Sequence, residues 1–118
     1  MINQVEIPMY LEEALPEMPH DLLVSKENSP YNLLEALSTF TCRNIQDHDY
    51  KAIKRSFKIA DMLYSKGNDI VKNAVANVFV FSFTRIFQTY PGEKKRLLSL
   101  LPMTLYTIYI SQVCHKGC

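Results

Sequence analysis

Apolar positions recur at helical spacing along most of the chain. Tyr50, Ile53, Phe57, Ala60 and Tyr64 step by three, four, three and four residues, which places them on one stripe of a helix over about 49–66. Asp47 and Asp49 stand at its start, where the helix dipole favours negative charge. Gly67 follows its last turn and is expected to close it in the left-handed conformation, with a positive φ. Asn68 then supplies a side-chain cap for the next helix.

That next helix, over about 69–90, carries a conflicting signal. Val78-Phe79-Val80-Phe81-Ser82-Phe83 is rich in residues that favour strands. The apolar pattern nevertheless continues from Ile70 without a turn signal and is too long for an ordinary strand. Ile70, Ala74, Val78, Phe81 and Arg85 share one side of the predicted helix, with Val71, Val75, Ser82 and Ile86 beside it. No charge stands between Lys72 and Arg85, so this helix is expected at the centre of a bundle, with 78–83 largely buried.

Prolines punctuate the remainder. A short helix over about 7–15 ends near Pro16, and a further turn is expected over 20–26. Ser29-Pro30 is an N-cap followed by proline in the first turn, and Leu33, Leu34, Leu37 and Phe40 continue at helical spacing to about Asn44. Pro91-Gly92 turns the chain. A helix over 93–101 meets Pro102, and a final helix carries Leu105, Tyr106, Ile108, Tyr109 and Val113. Tyr106 and Tyr109 are both expected in the core. The tail 114–118 is expected to fray. The whole reads as one all-α domain, an irregular bundle of five or six helices around 69–90.

Composition narrows the function. Thirteen basic and twelve acidic residues leave a net charge of +1, which argues against a dedicated nucleic-acid binder. Three cysteines, Cys42, Cys114 and Cys118, do not make a disulfide framework. The first fifteen residues carry three glutamates and no basic segment, unlike a secretory signal. A cytoplasmic location is therefore expected. The uncharged run 97–113 is slightly short for a membrane span and reads as a core helix.

No motif for an enzyme stands out. The chain lacks G-x-S-x-G, a phosphate-cradling glycine loop and H-E-x-x-H. Glu17-Met18-Pro19-His20 has the Glu-x-x-His spacing of a di-iron half-site, but one copy interrupted by proline cannot present a metal. Cys114, His115 and Cys118, with Cys42 or His48, contain zinc-ligand types at a spacing unlike that of zinc knuckles. No catalytic residue, cofactor or metal is expected. Cys42, among apolar neighbours, reads as a small buried hydrophobe.

The most specific surface feature is basic. Lys51, Lys54, Arg55 and Lys58 fall within an arc of about 100° on the 49–66 helix, opposite its apolar stripe. Such rows commonly serve solubility. Their functional reading is an electrostatic contact surface for an acidic protein partner. Nucleic acid fits less well, because that face lacks interleaved aromatics.

Ala60-Asp61-Met62-Leu63-Tyr64, Gly67-Asn68, Val71-Lys72-Asn73-Ala74, Asn77-Val78-Phe79 and Leu101-Pro102 with Leu105-Tyr106 together resemble a family of small bacterial helical domains of unknown function. The same stretch is similar to immunity proteins of bacterial toxin systems. That resemblance implies a non-enzymatic, cytosolic protein-binding module and brings no catalytic residues with it. The alternative expectation is a regulatory nucleic-acid-binding domain that uses the basic row.

Overall fold

The structure is a computed structural model that describes residues 1–18 and 29–117, with 114–117 described by their backbone alone. Three of its helices begin at side chains that cap them. Ser29 Oγ accepts from the Asn32 amide at 3.1 Å and starts α2 (Pro30–Gln46). Asp49 Oδ1 accepts from the Ala52 amide at 3.2 Å and starts α3 (Tyr50–Lys66). Asn68 Oδ1 accepts from the Val71 amide at 3.0 Å and starts α4 (Asp69–Thr89). With α1 (Ile7–Ala14), α5 (Lys94–Leu100) and α6 (Met103–Gly117), six helices make up the described residues, which contain no named strand. The expected turn over 20–26 lies outside them, as do Cys118 and the side chains of 114–117.

The long helix α4 is the axis of the core, packed against α2, α3 and α6. It is helical throughout 78–83, but not as a uniform α-helix. Val75–Val80 is π-helical, between α-helical Asp69–Ala74 and Ser82–Thr89. The wider turn changes the angular register. Phe79, Val80, Ser82 and Phe83 are buried, whereas Phe81 is 52% exposed and Ile70 46%. Phe81 is thus the exception to the expectation that 78–83 is largely buried, while Ala74, on the same predicted side, is fully buried and Val78 is half-buried. On α6, Tyr109 is in the core, whereas Tyr106, expected there too, lies outside. Phe57, Phe79 and Phe83 form the centre, with edge-to-face ring distances of 5.2–6.2 Å. By length and composition α4 is apolar enough to cross a membrane, and half of its most apolar stretch is buried in the fold, as in a core helix.

Gly67 departs from expectation. Its φ is −79° and its ψ 160°, an extended conformation open to any residue. What it provides is room. The Ile2 amide donates to the Lys66 carbonyl at 2.7 Å, and the Asn68 amide donates to the Ile2 carbonyl at 2.8 Å. This bridge ties the N-terminus to the α3–α4 junction. A Cβ on Gly67 would meet the Leu63 carbonyl oxygen and come within 2.6 Å of Val71 Cγ1.

The left-handed helix end is instead at His48, with φ 56°. The His48 amide donates to the Ile45 carbonyl and the Asp49 amide to the Asn44 carbonyl, a Schellman ending of α2. A non-glycine residue there bears steric strain. Replacing His48 with glycine is expected to raise stability by about 0.5–1 kcal/mol in thermal melts, the strain relieved less the extra unfolded-state entropy. A fall would show that the side-chain contacts of His48 outweigh its backbone strain.

The candidate docking surface

α3 presents two unlike faces. Ile53, Phe57 and Ala60 are buried, with Tyr50 and Tyr64 partly so, while Lys51, Lys54, Arg55 and Lys58 are all exposed. The amphipathic spacing thus sorts these residues as expected. Their electrostatics differ from a row of four free cations. The Arg55 guanidinium donates to both carboxylate oxygens of Glu17, at 3.0 Å for Nη1 to Oε1. That hydrogen-bonded guanidinium holds the Glu17 carboxyl below its ordinary pKa. Because the folded-state value is the lowered one, the pair favours folding above the free carboxyl's pKa and loses that effect as pH falls through the folded value. Both side chains are solvent-exposed, so its contribution is small. Lys51, Lys54 and Lys58 have no ion-pair partner among the described residues.

Beside this row lies a groove of about 640 Å³ between α1 and α3. Tyr10 and Ala14 from α1 and Ile59 and Met62 from α3 give it an apolar lining. Arg55 and Lys58 belong to both the groove and the basic row, Lys66 continues the positive edge, and Glu13 borders the groove from α1. Lys51 and Lys54 do not line it. Asp61 also borders the groove, and its Oδ1 is buried without a hydrogen-bond partner among the described residues. An unpaired buried carboxylate oxygen is costly, so it favours an occupant that brings a donor.

The interior offers no comparable chemistry. Ser38, Thr41, Asn44 and Ser56 each donate to the carbonyl four residues back in their own helix. Ser82 donates to the Phe79 carbonyl at 2.6 Å. Ser82 Oγ also lies 3.3 Å from Ser38 Oγ, a contact between α4 and α2. Cys42 is half-buried, and burial raises its thiol pKa, which disfavours the nucleophilic thiolate. Among the described residues no three His, Cys, Asp or Glu side chains cluster to hold a metal. Glu17 pairs with Arg55, while Pro19 and His20 and the side chains of Cys114, His115 and Cys118 lie outside the description.

One polar cluster had no signal in the sequence. The Tyr50 hydroxyl donates to Glu93 Oε2 at 2.7 Å, and His48 Nδ1 lies 3.4 Å from that hydroxyl. Arg96 stacks over the Tyr50 ring at 4.7 Å. These contacts fasten the α2–α3 turn to the short Pro91–Glu93 turn before α5. A separation of 43 residues between Tyr50 and Glu93 hides the pair from any local pattern.

No curated protein and no solved structure matched the chain. A family model described as a domain of unknown function (DUF7674) matched residues 8–115, nearly the whole chain. The chain belongs to this DUF7674 family.

Proposed function

We propose that this chain is a non-enzymatic protein-binding module that docks an acidic partner on the α1–α3 face. The observation that carries the reading is that Lys58, a cation of the basic row without an ion-pair partner among the described residues, also lines the apolar groove. One partner segment can seat an apolar side chain in the groove and place carboxylates against Lys54 and Lys58. The apolar anchor supplies affinity, and the charges supply approach rate and orientation. The hydrogen bonding of the buried Ser38, Thr41, Asn44, Ser56 and Ser82 within the fold supports a binding role over a catalytic one.

Within that class, the sequence resemblance favours an immunity or antitoxin-type protein of the bacterial cytoplasm, with a toxin as the acidic partner. Nucleic acid is the weaker occupant of the same face. Arg55 is neutralised by Glu17, which removes the cation best suited to phosphate.

Selection of random displayed peptides on the folded chain tests this reading. Enriched peptides should pair a large apolar residue with nearby aspartate or glutamate. Lys54→Glu with Lys58→Glu should slow their association about tenfold or more and flatten its salt dependence. The melting temperature should stay within a few degrees, because both positions are exposed. Peptides without acidic bias, or unchanged association after the double reversal at low salt, would make the row a solvated face only.

A further inference from the structure

We infer that the α1–α3 groove takes an extended segment of the partner, with one apolar side chain at its middle and a carboxylate two residues to either side. The inference rests on the docking reading above and adds the form and spacing of the segment. Along the groove the chain from Tyr10 to Glu17 runs antiparallel to α3. Glu17 meets Arg55 at one end, and Tyr10 shares a second hollow with Ser65 and Lys66 at the other.

Charge is spread unevenly along this path. Arg55 and Lys58 stand at one end and Lys66 at the other. Ile59, Asp61 and Met62 lie between them on α3, and the antiparallel order sets Glu13 and Ala14 of α1 opposite. Arg55 is taken by Glu17, whereas Lys58 and Lys66 have no ion-pair partner among the described residues. A carboxylate at the middle would face Glu13 and Asp61, but at either end it meets an unpaired lysine. The middle suits an uncharged side chain, packed on Ala14, Ile59 and Met62. Beyond Lys66 the second hollow, about 500 Å³, adds Lys72 to the positive end, against Glu6.

Distance selects the form of the segment. Lys58, Met62 and Lys66 step by four residues and share one side of α3. The two lysines stand about 12 Å apart along the helix axis. An extended chain covers that length in about four residues, and its alternate side chains point the same way. Its first, third and fifth side chains therefore reach Lys58, the apolar middle and Lys66 together. A helical segment would lay a series of apolar anchors along the groove. Here a lysine follows one turn to either side of Met62, which leaves room for one anchor. An extended segment also brings free backbone N–H groups, the donors that Asp61 Oδ1 lacks, whereas a helix has spent its own internally. Asp61 is half-buried, so its carboxyl group can turn toward the occupant.

Two short fluorescein-labelled peptides of equal composition test the spacing by anisotropy titration. In one, aspartates stand two residues before and two after a central leucine, among glycine and serine. In the other, both aspartates precede the leucine. The first should bind about threefold to fivefold tighter, the worth of one exposed ion pair. Lys66→Gln should weaken the first peptide to the level of the second, at an unchanged melting temperature because Lys66 is exposed. Equal affinities, or a difference that survives Lys66→Gln, would overturn the inference. If both peptides were still weakened by Lys54→Glu with Lys58→Glu, the docking reading would stand without it. Tighter binding of a stapled helical peptide with aspartates two turns apart would overturn the extended form. Binding of neither short peptide at millimolar concentration would overturn the inference whatever the display selection returns.

Discussion

Phe79→Ala is expected to cost about 3–5 kcal/mol, the usual penalty for emptying a large aromatic site. Phe79 is fully buried on the π-helical segment, with its ring edge-on to both Phe57 and Phe83. The loss combines lost transfer free energy, a cavity on the axis of the bundle, and two ring pairs that contribute beyond area. A chain of this size is typically stable by about 5–15 kcal/mol, so the variant approaches the threshold of folding. A urea titration should show a much lower midpoint with an unchanged slope. Met103→Ala on the outer face of α6, where the side chain is 77% exposed, should move the midpoint little, within about 0.5 kcal/mol. A Phe79→Ala midpoint close to wild type would mean that the centre of the fold lies elsewhere.

Gly67→Ala is the second large effect, and its cause is spatial rather than conformational. The backbone there suits any residue, so φ alone predicts a neutral change. The added methyl must instead displace the Leu63 carbonyl or the Val71 side chain, both held in helices. Overpacking at such a site costs about 1–3 kcal/mol, and the upper half of that range is expected because one obstacle is backbone. The melting temperature should fall by roughly 10 °C. Because the Ile2 bridge flanks Gly67 on both sides, amide exchange at Ile2 and Asn68 should accelerate together. An unchanged midpoint, with both amides still protected, would show that α3 and α4 are less closely apposed at this junction.

The helices and their starts were legible because their signals are local. Ser29, Asp49 and Asn68 each cap the helix that they precede. The strand-favouring residues of 78–83 yielded to the length and continuity of their segment. The basic row was legible for the same reason, since residues three and four apart on a helix share a face whatever the tertiary fold.

What escaped reading depends on residues far apart in sequence. Arg55 meets Glu17 across 38 positions, so the row looked like four free cations. The groove needs α1 set against α3, a packing choice that no periodicity within either helix encodes. The bridge of Ile2 to Gly67 joins residues 65 positions apart, so nothing local announces it. The π-helical turn rotates Phe81 outward, although a uniform period of 3.6 would keep it beside Ala74 and Val78. The left-handed helix end fell on His48, where no glycine marks it.

The docking face is the central claim, and amide chemical-shift mapping tests it most directly. An acidic peptide enriched by selection would be titrated into isotope-labelled protein. The account predicts that shifts concentrate on Tyr10, Ala14, Lys58, Ile59, Met62 and Lys66, the two walls and positive edge of the α1–α3 groove. Shifts confined to the cleft of about 460 Å³ lined by Ser38, Asn77 and Arg85, with the α1–α3 groove silent, would contradict it.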